Sequence, residues 1–132
     1  MLEIKGKNIE ITRGDYMPLT LSPEIEDEGN DFTFKTGDVV LIKIFEKKNV
    51  QNVLLEKRFK VQEESTEFAI EVTAEEMKIG ELINKPKDYW YEIELNPDSD
   101  KTVTLVGYDE EDGPAILTLY PEGGNLDDNK NK

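Results

Sequence analysis

Residues 9–21 read Ile-Glu-Ile-Thr-Arg-Gly-Asp-Tyr-Met-Pro-Leu-Thr-Leu, and this stretch decides the class of fold. Apolar and polar side chains alternate before and after Arg13-Gly14-Asp15, which is the period of a strand with one buried face. Glycine and aspartate are typical of tight turns, because Gly accepts positive φ and Asp hydrogen-bonds its own main chain. The stretch therefore predicts strand, turn and strand. Pro18 predicts that the second strand lies at an edge or carries a bulge.

The same alternation recurs along the chain at intervals typical of an all-β sandwich or barrel. The β-branched run 39–45 predicts a central strand, because it is short and nearly continuous. Thr73-Ala-Glu-Glu76 fits a capping box, so a short helix is expected over 73–79. Residues 24–31 are expected to form an acidic loop. Further strands are predicted at 53–61, 68–72, 88–95, 102–106 and 115–120.

Composition excludes several classes of function. The chain has 132 residues, which suits one domain, and we expect residues 1–124 to fold and the polar tail 125–132 to be disordered. A formal charge of −14 makes binding to nucleic acid or to an anionic membrane unfavourable. The chain has no apolar run long enough to span a membrane and no apolar segment typical of a signal peptide. We therefore expect synthesis in the cytoplasm without export through a secretory signal.

Catalytic and metal-binding residues are scarce. Histidine and cysteine are absent, which removes the usual transition-metal ligands and thiol chemistry. Serines, threonines and lysines remain as nucleophiles, but none lies in a recognisable catalytic motif. Asp98-Ser-Asp100 and the acidic run 109–113 offer oxygen ligands for calcium, yet neither has EF-hand spacing, so solvated turns are preferred. Arg13-Gly-Asp15 is likewise interpreted as a turn rather than an integrin motif. We expect no enzyme activity, no cofactor and no metal.

Strand 88–95 carries the candidate interface. Its tyrosines and aliphatic residues share one parity and should face the core, so the other parity faces outward. The outward set is Trp90, Glu92 and Glu94. A tryptophan on a polar face suits an interface anchor or a sugar-stacking platform, and the alternative is that residues 82–88 or the tail cover it. Tyr89 or Tyr91 is also placed to form the tyrosine corner of immunoglobulin-like domains.

Five pieces of the chain carry a family resemblance. They are Ile9-Glu-Ile-Thr-Arg-Gly-Asp15, Phe34-Lys-Thr-Gly-Asp-Val-Val40, Thr73-Ala-Glu-Glu-Met77 with Gly80, Tyr89-Trp-Tyr-Glu-Ile93 and Leu119-Tyr-Pro-Glu-Gly123. In this order and spacing they resemble the small immunoglobulin-like domains of phage and prophage tails in Gram-positive bacteria, such as the N-terminal domain of baseplate upper proteins. The resemblance implies a structural role, no enzymatic activity, and partners among other tail proteins or further copies of the chain. It also implies incorporation into a virion.

These observations favour one function and leave two alternatives open. We predict an immunoglobulin-like antiparallel β-sandwich of about eight strands with one short helix. The preferred function is a non-enzymatic structural or adaptor module of a phage or prophage tail or baseplate, acting through protein–protein contacts. One alternative is a carbohydrate-binding module that uses Trp90 and nearby tyrosines. The other is an acidic inhibitor that mimics DNA, although the carboxylates are spread along turns and strand faces.

Overall fold

The computed structural model describes residues 1–24, 26, 27 and 30–123, and within them the chain is all-β. The strands are β1 Leu2–Lys5, β2 Asn8–Thr12, β3 Met17–Leu21, β4 Glu26–Asp27, β5 Asn30–Asp31, β6 Val39–Glu46, β7 Asn49–Lys60, β8 Phe68–Val72, β9 Lys87–Leu95, β10 Val103–Val106 and β11 Ala115–Tyr120. The expected tail 125–132 lies outside the described residues. No helix in the described ranges has the length and hydrophobicity needed to cross a membrane.

The predicted helix over 73–79 is wrong, although its capping box forms. The Thr73 hydroxyl accepts from the Glu76 amide at 3.2 Å, and the Glu76 carboxylate accepts from the Thr73 amide at 2.9 Å. The Thr73 carbonyl accepts from the Met77 amide at 3.0 Å, which closes one turn. Met77 and Ile79 then enter the core, and Gly80 has a φ of 67°. The segment ends after one turn, because so short a helix gains too few hydrogen bonds to offset the cost of nucleation.

One layer of the protein is a seven-stranded mixed sheet, here called the main sheet. Its order is β1-β2-β11-β9-β6-β7, and β10 pairs with β9 off this path. The sequence predicted an antiparallel arrangement, but the β11–β2 pair is parallel, so the main sheet is mixed. The other pairs in this sheet are antiparallel. The prediction that residues 39–45 form a central strand is confirmed, because β6 lies between β9 and β7.

The second layer is formed by β3 and β8, here called the small sheet. Its inward side chains join those of the main sheet in one core cluster, which includes Ile9, Ile42, Tyr89 and Leu117 from the main sheet and Met17, Leu19, Ile70 and Val72 from the small sheet. Two sheets packed around a shared apolar layer make the fold sandwich-like. The edge position predicted from Pro18 is confirmed, because β3 pairs with β8 alone in the described residues.

The turn at residues 13–15 crosses from one layer to the other. Gly14 has the predicted positive φ, at 86°. Arg13 is buried, and its Nε donates to the Ile79 carbonyl at 2.9 Å while Nη1 donates to Glu122 Oε1 at 2.8 Å. Its Nη2 donates to the carbonyl of Lys78 at 3.0 Å. These bonds tie the crossover to two distant segments, so Arg13 has a structural role here and is not presented to an integrin.

Candidate interaction surface

The predicted interface residues Trp90, Glu92 and Glu94 lie on the side of the main sheet that faces away from the small sheet, here called the outer face. Along β9 the alternate residues Tyr89, Tyr91, Ile93 and Leu95 are buried in the core, and the three candidates between them are half-buried. The outward parity predicted from the sequence is therefore confirmed. Whether these residues form an interface stays a prediction.

Trp90 belongs to an apolar row that crosses four strands. Phe45 of β6 and Ile116 of β11 are its register partners, and Val53 of β7 is the register partner of Phe45. Phe45 is 2% exposed although it lies outside the core cluster, while Val53 is 39% exposed. Trp90 and Ile116 are half-buried. We call Val53, Phe45, Trp90 and Ile116 the apolar row.

A row of charged side chains borders the apolar row. Lys43 of β6 is the register partner of Glu56 and Glu92, and its Nζ lies 3.6 Å from Glu94 Oε1. Burial raises the pKa of Glu92, and the Glu94 carboxylate raises it further, while Lys43 acts in the opposite direction. The outer face therefore combines apolar surface with the partly desolvated carboxylate of Glu92.

The Trp90 ring is more enclosed than the sequence predicted. Its indole Nε1 is buried and has no hydrogen-bond partner among the described residues. A buried indole N–H usually finds a partner, so this one is an exception. Only part of the ring is open to solvent, which limits the kinds of ligand that can stack on it.

The tyrosines on either side of Trp90 do not form the expected tyrosine corner. The Tyr91 hydroxyl donates to the main-chain carbonyl of Lys7, which lies 84 residues away rather than a few residues upstream. Burial raises the pKa of Tyr91 to about 12. The Tyr89 hydroxyl is buried without a hydrogen-bond partner in the described ranges and packs against Gly80, where an added Cβ would lie 2.5 Å from it.

The acidic turns are engaged by the protein's own cations. Lys7 Nζ donates to Asp109 Oδ2 at 2.6 Å and to the carbonyls of Gly107 and Gly113 at 2.9 and 2.5 Å. The Lys7 ammonium thus ties three points of this turn together. Arg58 Nη2 lies 3.5 Å from Asp98 Oδ2 in the other turn. Within residues 1–24, 26, 27 and 30–123, no group of three or more metal-ligating side chains is placed to hold an ion.

Sequence analysis predicted only Trp90 of the apolar row and missed the other three members, Val53, Phe45 and Ile116. It assigned Phe45 to a fully buried strand and Ile116 to an ordinary alternating one. The available indication was the parity of Phe45, which is opposite to that of Ile42 and Ile44.

No family model, curated protein or solved structure matches this chain. What the outer face can do is therefore inferred from its geometry: an apolar row excludes water from a contact, and the bordering charges orient it.

Proposed function

We propose that this chain is a non-enzymatic binding module that serves as a structural or adaptor part of a phage or prophage tail or baseplate. The observation that carries the binding role is the apolar row on the outer face. The tail assignment and the immunoglobulin-like architecture are supported by the sequence resemblance over residues 9–123 together with the two-layer all-β fold. Synthesis in a bacterial cytoplasm and incorporation into a virion belong to the same proposal.

The apolar row is unusual for the face of the main sheet that points away from the small sheet. Antiparallel sheets commonly bury one face and solvate the other, so polar side chains are expected at every outward position. Here four adjacent strands instead align Val53, Phe45, Trp90 and Ile116. Covering their exposed parts contributes roughly 25 cal/mol per Å² of apolar surface. Tryptophan is also enriched among residues that dominate binding energy, which makes Trp90 the expected anchor.

The charge of the chain favours a different protein as the partner over a second copy. Two copies would each bring a formal charge of −14 to the contact. Their repulsion is reduced by salt but not removed at the short distances of an interface. A neutral or basic tail protein avoids this cost. Self-association remains the second outcome of the binding test.

Carbohydrate binding is the second candidate function, and the geometry favours it less. Stacking on a sugar requires an open ring face, whereas Trp90 is half-buried and its indole nitrogen is enclosed. Its register partners are Phe45 and Ile116 rather than tyrosines. Tyr108 is 68% exposed, but it lies outside the strands and is not part of the apolar row around Trp90. A shift of tryptophan fluorescence on adding glycans would favour this candidate instead.

Co-expression with the proteins encoded by neighbouring genes tests the proposed function. We expect neighbours that encode tail or baseplate components, and a complex with at least one of them on size-exclusion chromatography. Ile116→Lys places a charge in the apolar row and should abolish the complex, whereas Leu82→Lys alters an exposed apolar residue elsewhere and should preserve it. Neighbours of unrelated function, together with no complex, would contradict the proposal.

A further inference from the structure

The small sheet has an open edge at β8, and a proline in β3 shows which main-chain groups point towards that edge. In the β3–β8 register, Pro18 is opposite Glu71 and Thr20 is opposite Ala69. Proline has no N–H, so the first pair cannot exchange hydrogen bonds, and by the alternation of antiparallel ladders the second pair does not either. The main-chain groups of Ala69 and Glu71 therefore point away from β3.

Contacts around β8 agree with this direction and define the free stretch. The Glu71 carbonyl accepts from Lys57 Nζ at 2.9 Å, from outside the small sheet. At the other end, the Glu67 amide donates to Ser65 Oγ at 3.1 Å. Between them, the N–H and C=O of Ala69 and the N–H of Glu71 have no main-chain partner in the part of the chain that the structure describes. These groups are available to pair with an added strand.

The opposite edge of the small sheet is not equivalent. The main-chain groups of Pro18 and Thr20 point outward there, but Pro18 offers no donor. A proline facing outward blunts a sheet edge against strand addition. The open edge of β8 is therefore the better acceptor of a strand.

Acidic side chains set the chemistry of the strand that fits. Glu71 of β8 and Glu67, which immediately precedes β8, are exposed, with exposed Ala69 between them. Their carboxylates accept hydrogen bonds from the hydroxyls of Ser22 and Tyr16, which are neutral donors. Neither carboxylate takes part in the ion pairs between described residues. Both negative charges are thus open to compensation from a partner.

A groove of about 520 Å³ beside β8 has room for the partner's side chains. Both strands of the small sheet line it, with Pro18 and Thr20 from β3 and Ala69 from β8, and Lys57 and Phe59 of β7 line it as well. Lys57 does not repel a basic partner strongly, because its Nζ lies 2.8 Å from Glu76 Oε1. Lys57 Nζ lies over the Phe59 ring, 5.2 Å from its centroid, so the Tyr16 ring is the aromatic surface on which the aliphatic stem of a partner's lysine or arginine can pack.

We propose that the open edge of β8 binds an extended polypeptide segment, which adds as an antiparallel strand and places basic residues opposite Glu67 and Glu71. The two basic residues are four positions apart, with a small residue between them facing Ala69. A second copy is disfavoured, since pairing β8 with itself about Ala69 would set Glu67 against Glu71 twice. This site lies in the other layer from the apolar row, so it goes beyond the proposed function and does not depend on it.

Peptide binding in solution tests this proposal directly. The probe is Thr-Lys-Val-Thr-Val-Lys-Thr, blocked at both ends, and the control is an isomer with its two lysines adjacent. At about 0.15 M salt, which screens non-specific attraction, the probe should bind more tightly than the isomer. It should also slow hydrogen exchange of the Ala69 and Glu71 amides. Equal affinities or unchanged exchange would overturn the proposal.

Two proline variants separate the two edges. Ala69→Pro removes the central donor without breaking the β3–β8 ladder and should weaken binding about tenfold. Thr20→Pro removes the corresponding amide on the opposite edge and should preserve binding. Should Ala69→Pro fail to fold, the double variant Glu67→Gln, Glu71→Gln is expected to lose the preference for the probe over its isomer. Equal effects of the two prolines, or a dimer with a protected Ala69 amide before peptide is added, would overturn the proposal.

Discussion

Trp90 and Phe45 are register partners across β9 and β6, on the face of the main sheet that points away from the core. Phe45 is almost completely buried although it does not belong to the core cluster between the sheets. An apolar pair in this position stabilises the outer face locally and leaves part of Trp90 open. This relationship links the fold to the proposed binding role.

Gly14→Ala should destabilise the protein by about 1 kcal/mol or more, because Gly14 has a φ of 86° in the crossover between sheets. The added Cβ would meet its nearest neighbour, Lys78 Cγ, at an ordinary 3.6 Å, so the cost arises from the main chain. Urea unfolding measures it. Gly123→Ala is the control, since its Cβ meets nothing within 4 Å and its φ is not positive. Equal stability of both variants would contradict the positive-φ turn.

Gly80→Ala should cost more than Gly14→Ala, because its Cβ would lie 2.5 Å from the Tyr89 hydroxyl and its φ is also positive. Tyr89→Phe removes that hydroxyl, which has no hydrogen-bond partner in the described residues, and should leave stability nearly unchanged. In the double variant, part of the Gly80→Ala loss should be recovered. A double-mutant cycle from urea unfolding checks this, and strictly additive effects would show that the two groups do not touch.

The folded protein should lose stability at alkaline pH through ionisation of Tyr91, and Tyr91→Phe should not show this loss. Tyr91 has a pKa of about 12 in the folded protein against an ordinary 10.0, so the unfolded chain ionises first. This contribution is intact below pH 10 and is lost as the pH rises from 10 towards 12. The variant also loses the bond to the Lys7 carbonyl, which lowers stability at neutral pH by about 1 kcal/mol. Unfolding midpoints of both proteins across this range provide the measurement. Parallel declines would contradict the expected ionisation.

Glu92→Gln should raise stability slightly at neutral pH, by about 0.5 kcal/mol for such a half-exposed group. The pKa of Glu92 is raised by burial and by Glu94, so its ionised form is less favourable in the folded protein. The gain should vanish as the pH falls below the pKa of an unfolded glutamate, about 4.3. Glu81→Gln makes the same charge change at an exposed position. Thermal melting of both variants at neutral and acidic pH tests the difference.

The alternation of apolar and polar residues predicted the strands that bury one face, because this alternation is visible within a few consecutive residues. It missed β1, because the alternation of Leu2-Glu-Ile-Lys5 covers only four residues and is too short to stand out from chance. It also treated residues 24–31 as a loop, where β4 and β5 each have two residues. The capping box at Thr73 was recognised correctly, but a cap does not supply the free energy that extends a helix.

The candidate site was predicted in its parity and not in its extent. The outward direction of Trp90 follows from one strand alone. Its neighbours Phe45 and Ile116 depend on the register of β9 with β6 and β11, which are distant in sequence. The hydrogen bond between the Tyr91 hydroxyl and the Lys7 carbonyl also joins residues distant in sequence, so it could not be predicted either. Register between distant strands depends on tertiary packing, which a single sequence does not display.

The affinity of Trp90→Ala for its partner, measured by analytical ultracentrifugation beside Leu82→Ala, shows whether Trp90 anchors binding at the outer face. Leu82 is 67% exposed and apolar but lies outside the apolar row, so it controls for a general loss of surface hydrophobicity. We predict that Trp90→Ala weakens association by roughly 2 kcal/mol or more and that Leu82→Ala leaves it unchanged. If Trp90→Ala lowers the melting temperature while association stays at the level of the Leu82→Ala control, the outer face is structural and the proposed binding role is contradicted.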